Sequence, residues 1–192
     1  MKKCILFFSV ILFLSQSCQQ KTVNKEEEFI PVLPFILNDI SDVDTGFYPI
    51  IKIVTVDNMK ADTFFVKREE FRGLAEEFLQ IPDLTQKKYK PLFTEEKFFD
   101  QSLNTVIITY QPKNSEKEEI QRVELLITPY PEGGKVKSII IDRFLTNKDS
   151  TVQKRMLWQI GKSFQVTTLT QKLNNIEKSN TVQVVWNDPV KL

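Results

Sequence analysis

The chain of 192 residues contains no histidine, only two cysteines and only five glycines. Histidine is the side chain that most often moves protons near neutral pH. Its absence excludes a Ser-His-Asp triad, a Cys-His dyad and a histidine-ligated zinc site. The sequence therefore argues against the most common hydrolase and zinc-enzyme mechanisms.

An excess of charge of one sign is missing as well. The 26 lysines and arginines nearly balance the 25 aspartates and glutamates, which gives a formal charge of +1. A protein that binds nucleic acid normally carries a basic excess, so we expect no nucleic-acid partner. Fifteen phenylalanines and few glycines instead indicate one domain with a packed core.

Residues 1–17 have the three parts of a secretory signal peptide. Two lysines after Met1 form a positive start, residues 4–14 (CILFFSVILFL) are apolar, and a short serine-containing stretch follows. As a helix, eleven residues cover only about 16 Å of a hydrocarbon core about 30 Å thick. We therefore expect a cleaved signal peptide rather than a membrane span.

Cys18 directly follows this segment and the small residue Ser17. This arrangement resembles the lipobox of bacterial lipoproteins, in the relaxed form typical of Bacteroidota. It departs from the common pattern at Ser15, where an aliphatic residue is usual. The C-terminal region from residue 110 to the VVWND at 184–188 is also similar in style to small lipoproteins of that phylum, without a diagnostic motif.

The resemblance implies that the thiol of Cys18 is alkylated by diacylglycerol and that the signal is cut just before it. The membrane partner would then be reached through lipid at the N-terminus, and the protein would belong to the cell envelope, in the outer membrane, on its periplasmic or surface face. The signal contains two lysines and no acid, so its removal changes the formal charge from +1 to −1. The alternative is an ordinary cleaved signal with an unmodified cysteine.

Residues 19–28 (QQKTVNKEEE) are polar and predict a solvated tether that begins at the lipidated cysteine, so that 18–28 form one unit. Residues 29–192 then form a single globular domain. Two prolines and a glycine among residues 29–48 indicate an extended segment on the edge of that domain. β-branched residues predict a strand at 49–57, and residues 63–66 (TFFV) also suit a second, short strand.

The apolar period changes to that of a helix between Lys67 and Gln80. One stripe carries the apolar residues, with charged residues on the other side and Pro82 as the stop signal. The stripe consists of Phe71, Leu74, Ala75, Phe78 and Leu79. We expect it to be the buried face of the main helix, followed by an irregular stretch and a possible single turn from Thr94.

The rest of the chain has the period of strands. PEGG (131–134) and Gly161-Lys162 stand between strand-like segments and predict two hairpins. Trp158 and Trp186 share faces with aliphatic residues, so burial is favoured over a sugar-stacking role. The expected fold is α+β, with an antiparallel meander of about seven strands curled around one main helix.

Three motifs resemble chemical sites without completing them. Gly161-Lys162-Ser163 ends like a phosphate-binding loop but lacks its first glycine and its following helix, so a turn is favoured and no nucleotide is expected. Asp39, Asp42 and Asp44 precede Gly46 but do not fit an EF-hand, which leaves a capped turn as the expectation and a looser calcium site as the alternative.

Paired carboxylates form the third motif, and adjacent acids point in different directions rather than across a substrate. The pairs are Glu69/Glu70, Glu76/Glu77, Glu95/Glu96 and Glu118/Glu119. The sequence thus predicts a non-enzymatic binding or accessory role with no cofactor, no metal and no catalytic residue, and it leaves the ligand and any envelope partner open. The alternatives are an open β-barrel that handles lipids or other hydrophobic ligands, and a carboxylate-dependent hydrolase.

Overall fold

The structure is a computed structural model that describes residues 29–57, 59–129, 134–172 and 177–187. The predicted signal peptide, Cys18 and the tether therefore lie outside the described residues. So does most of the predicted PEGG turn, apart from Gly134.

The described residues form three α-helices, one 3-10 turn and nine β-strands. The helices are α1 (Leu33–Thr45), α2 (Arg68–Leu74) and α3 (Glu76–Leu79), and the 3-10 turn is Lys90–Leu92. The strands are β1 (Ile50–Val56), β2 (Asp62–Val66), β3 (Phe93–Asp100), β4 (Thr105–Pro112), β5 (Ile120–Ile127), β6 (Val136–Thr146), β7 (Ser150–Gln159), β8 (Ser163–Lys172) and β9 (Glu177–Val185).

All nine strands belong to one antiparallel sheet in the order β2-β1-β9-β8-β7-β6-β5-β4-β3. Strands β3 to β9 are a meander, and β9 then pairs with β1, which places β2 and β3 at the two edges. The sheet is therefore not a closed barrel. The predicted antiparallel meander is confirmed and the fold is α+β or mostly β, while the expected count of about seven strands is too low.

The prediction of an extended segment at residues 29–48 is wrong, because most of it is helix α1. Ile36, Ile40 and Val43 are buried at helical spacing, and Asp39 occupies the remaining place in their stripe. Pro34 lies in the first turn, where a missing backbone N–H costs no hydrogen bond. Helix α1 ends at Gly46, whose N–H donates to the carbonyl of Asp42 at 2.8 Å.

The predicted single main helix is two short helices separated by a turn at Ala75. The apolar stripe itself is confirmed, since Phe71, Ala75 and Phe78 are fully buried and Leu74 and Leu79 pack against the same core. Because the period continues through the turn, the sequence pattern did not reveal the break. The main helix of the fold is α1, which has 13 residues.

The possible turn at Thr94 is also wrong, because Thr94 lies in strand β3. The β3 sequence FTEEKFFD mixes charges with aromatics, as is typical of an edge strand whose two faces meet different surroundings. Charged residues on an edge oppose strand-to-strand aggregation, and here they obscured the strand signal. Strands β1 and β2 lie where the sequence predicted them.

Both predicted hairpins are confirmed by their registers. In β5–β6, Leu125 lies opposite Ile139, and in β7–β8, Trp158 lies opposite Phe164. Gly161 has φ +72°, a conformation that favours glycine and suits a tight turn. These registers align the apolar residues of neighbouring strands on one face, and the helices cover that face.

Candidate functional site

The helix-covered face of the sheet is filled by interlocking aromatic rings. The Phe78 ring meets Trp158 edge-on at 5.0 Å between centroids, and the Trp158 ring stacks on Phe164 at 5.0 Å. Phe71 meets Trp186 edge-on at 5.1 Å. Edge and offset-stacked geometries are the favourable ones for aromatic pairs. The prediction that both tryptophans are buried is therefore confirmed.

Little space remains between the helices and the sheet. A cavity bounded by the entry segment at Ile30, by Phe78 of α3 and by Tyr110 of β4 measures about 10 Å³. That is roughly the volume needed for one water molecule. A hydrophobic ligand of the size of a fatty acid would have to displace core side chains to enter there.

Asp39 is a buried acid that ties helix α1 to the β7–β8 turn. One of its oxygens accepts hydrogen bonds from Trp158 Nε1 and from the backbone N–H of Gly161, both at 2.7 Å. Burial raises the pKa of Asp39, the two hydrogen bonds oppose that shift, and the charge of Asp42 adds slightly to it. This geometry gives Asp39 a structural role, because it links helix α1 to the β7–β8 turn.

The calcium alternative is not supported at these acids. Asp39, Asp42 and Asp44 lie on helix α1 rather than in a loop, so the expected capped turn is also wrong. Asp42 accepts from Asn38 Nδ2 at 3.2 Å, four residues earlier on the same helix. Among the residues that the structure describes, no cluster of three or more acidic, cysteine or histidine side chains is arranged to hold a metal ion.

The larger depressions of the described surface surround an ion pair between Arg143 on β6 and Glu119 in the β4–β5 loop. Arg143 Nε donates to Glu119 Oε1 at 2.7 Å, and Nη2 contacts the same oxygen. A groove of about 840 Å³ lies between residues 115–119 of that loop and residues 144–147 at the end of β6. Two depressions of about 290 and 370 Å³ border Arg143 itself.

An irregularity in strand pairing positions this ion pair. The β5–β6 register shifts between Ile120 and Arg122, so Gln121 is left without a direct partner on β6. Its side-chain amide instead donates to the carbonyl of Ser115 at 2.8 Å, and the backbone N–H of Phe144 donates to the carbonyl of Glu119 at 2.9 Å. These bonds hold the loop against β6. β-Bulges often re-aim side chains in this way at functional sites.

The groove offers mixed chemistry that suits binding. Glu116, Glu118 and Glu119 supply carboxylates, Lys117 supplies one cation, and Phe144 adds an exposed apolar surface. Such a surface can hold a polar partner with cationic groups through hydrogen bonds and charge. The sequence favoured a solvated face for Glu118 and Glu119, with a catalytic pair as the alternative. It did not indicate the Arg143 partner of Glu119, because that residue is 24 positions away along the chain.

The two acids of the Glu76/Glu77 pair lie on one helix and contact different partners. Glu77 on α3 forms an ion pair with Lys154 on β7, while its neighbour Glu76 accepts from Gln80 Nε2 at 3.2 Å. Glu70 accepts from the backbone N–H of Lys67 at the start of α2. In each case the partner is a nitrogen donor of this chain, which is typical of acids with a structural role.

Glu95 has a buried side chain, although the sequence favoured a solvated face for the Glu95/Glu96 pair. Its side chain is only 2% exposed, and Oε1 lies 2.7 Å from Lys97 Nζ. Within the described part of the chain, Oε2 is buried without a hydrogen-bond partner. The pKa of the neighbouring Tyr110 is raised by burial, and the charge of Glu95 raises it further. Glu96, the adjacent acid, is exposed, so the pair does not face one cleft.

The Gly161-Lys162-Ser163 motif is a hairpin turn between β7 and β8, as the sequence predicted. The N–H of Lys162 donates to the carbonyl of Gln159 at 3.0 Å. A phosphate-binding loop needs a helix directly after the motif, and strand β8 begins at Ser163. The geometry does not support nucleotide binding at this turn.

Comparison with known proteins gives no identification: the chain matches no family model, no curated protein and no solved structure. In the described ranges, no helix has the length and apolar character needed to cross a membrane.

Proposed function

We propose that this chain is a lipid-anchored lipoprotein of the bacterial cell envelope, held in the outer membrane through Cys18. Its domain has a non-enzymatic binding or accessory role. The anchor is supported by the sequence, in which the cysteine follows a short apolar segment and a small residue. One acyl chain holds a protein only marginally, whereas two or three give a stable anchor.

The observation that carries the role of the domain is the filled helix-covered face. That face is occupied by Phe78, Trp158, Phe164 and their neighbours, and the cavity that borders Phe78 measures about 10 Å³. The space between this face and the helices is where an open sheet would hold a hydrophobic ligand. This packing favours a domain that binds through its outer surface over one that carries lipid inside.

The groove beside Arg143 and Glu119 is the surface that we propose for binding. It combines carboxylates, a cation and an apolar ring, and its walls are fixed by backbone hydrogen bonds. The hydrolase alternative needs two carboxylates facing each other across a substrate. The ion pair of Glu119 with Arg143 gives this carboxylate a structural partner, which supports recognition over catalysis.

The anchor is tested by replacing Cys18 with alanine in the full chain and fractionating the cells. We expect the wild-type protein in the membrane pellet with a lipid-modified N-terminal cysteine by mass spectrometry, and the variant in the soluble fraction. Cys4→Ala is the matched control and should leave the anchoring unchanged. Equal membrane retention of Cys18→Ala, with an unmodified wild-type N-terminus, would contradict the proposal.

A further inference from the structure

Four lysines come from two chain segments that strand pairing brings together near Phe29. Three come from the segment before β3 and one follows β4; they are Lys87, Lys88, Lys90 and Lys113, and we call them the lysine patch. Strands β3 and β4 pair with Phe93 opposite Pro112, which brings the two segments together. Lys113 Nζ then donates to the carbonyl of Pro91 at 2.8 Å, which holds this lysine against the segment that carries the other three.

The entry of the chain into the domain is fixed at this patch. The Phe29 ring stacks on Tyr110 with 4.5 Å between centroids, and the N–H of Ile30 donates to the Tyr110 hydroxyl at 2.8 Å. Lys90 Nζ lies 5.9 Å from the centroid of the Phe29 ring. The first described residue is therefore in contact with the patch.

Three of the four patch lysines, Lys87, Lys88 and Lys113, are exposed. None of the ion pairs formed within the described ranges involves any of the four lysines. Asp83, four residues before Lys87, accepts instead from the backbone and hydroxyl of Thr85. Tyr89 and the exposed Leu92 lie among the lysines and add apolar surface. Tyrosine and lysine side chains of this kind favour the interface between water and lipid.

The chain between the predicted lipid and the patch is short. Phe29 comes eleven residues after Cys18, and even a fully extended chain of that length spans only about 36–40 Å. A flexible chain of eleven residues averages about 17–20 Å from end to end. A lipid on Cys18 therefore keeps the patch near the membrane surface.

We propose that the lysine patch faces the membrane and binds anionic phospholipid headgroups, which sets the orientation of the domain. This inference rests on the proposed lipid anchor. Lysines close to an anionic membrane surface gain electrostatic energy that falls off within a Debye length, and a lipid chain combined with a basic patch binds more firmly than either does alone.

The test uses the full lipidated protein, either in a nonionic detergent or in vesicles of phosphatidylcholine and phosphatidylglycerol at roughly three to one. An amine-acetylating reagent is added, and mass spectrometry follows the rate at each lysine. We expect acetylation of the patch to slow at least about threefold in the vesicles and to recover in high salt. Lys162, in the turn at the opposite end of the strands, is the matched control and should react equally in both.

A double variant, Lys87→Gln with Lys88→Gln, sharpens the result. It should bring the acetylation rates of Lys90 and Lys113 in vesicles back towards their values in detergent, whereas Lys162→Gln should not. Equal acetylation rates for the patch in detergent and in vesicles would overturn the inference. The patch would then face water in both samples, or the chain's own glutamates at 26–28 would cover it in both. Lipid found on Cys18 in the same sample would leave the proposed anchor standing.

Discussion

The two faces of the sheet are built from different side chains although they share the same strands. On the helix-covered face, Phe78, Trp158 and Phe164 form a dry aromatic cluster. On the opposite face, Thr167 and Thr181 share a hydrogen bond at 3.1 Å between their hydroxyl oxygens. Alternation along each strand separates the two sets.

The polar face also carries an ion-pair network between β5 and β6. Arg122 contacts Asp142 at 2.8 Å and Glu124 at 3.0 Å, and all three side chains are partly exposed. Partly exposed ion pairs contribute little to stability, about 0–1 kcal/mol each. Most of the stability of the domain therefore comes from the helix-covered face. The polar face and the strand ends are free to contact other molecules.

The largest effect is expected from Phe78→Ala, which removes a ring at the centre of the aromatic cluster. Truncating a buried phenylalanine costs about 3–5 kcal/mol, a large part of the 5–15 kcal/mol available to a domain of this size. Urea unfolding of the chain without residues 1–18 measures the change. Glu76→Ala, on the exposed side of α3, is the control and should change the unfolding free energy by less than about 0.5 kcal/mol.

An intermediate effect is expected from Asp39→Ala. This change leaves two donors without their acceptor, the buried Nε1 of Trp158 and the part-buried N–H of Gly161. An unsatisfied buried polar group costs about 1–3 kcal/mol. A near-neutral result in urea unfolding would show that water reaches these donors and that α1 is not fixed by this contact.

The same residue gives a pH dependence with a defined sign. Burial raises the pKa of folded Asp39, so the folded state holds this proton to higher pH than the unfolded state does. The contribution of Asp39 to stability is therefore full below its unfolded pKa and is lost as the pH rises through its folded pKa. Asp39→Asn cannot ionise and should lack this loss above about pH 4 in matched unfolding curves.

The smallest effect is expected on the polar face. Thr167→Val removes the hydroxyl that pairs with Thr181 but keeps a β-branched side chain suited to a strand. The unfolding free energy should change by no more than about 0.5 kcal/mol. A loss of unfolding free energy as large as that of Phe78→Ala would show that the two faces contribute equally to stability.

Sequence patterns predicted those parts of the fold in which one period dominates. The stripe of Phe71 and Phe78 and the alternation around Trp158 are such cases, and both lie in the core. Helix α1 was missed because a buried aspartate interrupts its apolar stripe and Pro34 suggests a loop. The acceptor role of Asp39 depends on Trp158, which is 119 residues away.

The proposed binding groove was harder to predict for the same reason. Its ion pair joins Glu119 to Arg143 across a β-bulge, and no spacing in the sequence encodes that meeting. The side-chain direction of Glu95 was easier to predict, because Glu95 alternates in phase with Phe93 and Phe99 on β3. A strand reading of residues 93–100 places its carboxylate on the same side as those rings.

The central claim is that the helix-covered face is a filled core rather than a ligand cavity. Titration of the wild-type protein with a fluorescent fatty-acid probe tests it most directly, with Phe78→Ala titrated beside it. We predict no saturable binding to the wild-type protein, since a cavity of about 10 Å³ cannot admit an acyl chain. Saturable one-to-one binding, altered in a Phe78→Ala variant of near-wild-type stability, would contradict the claim and favour a lipid-handling protein.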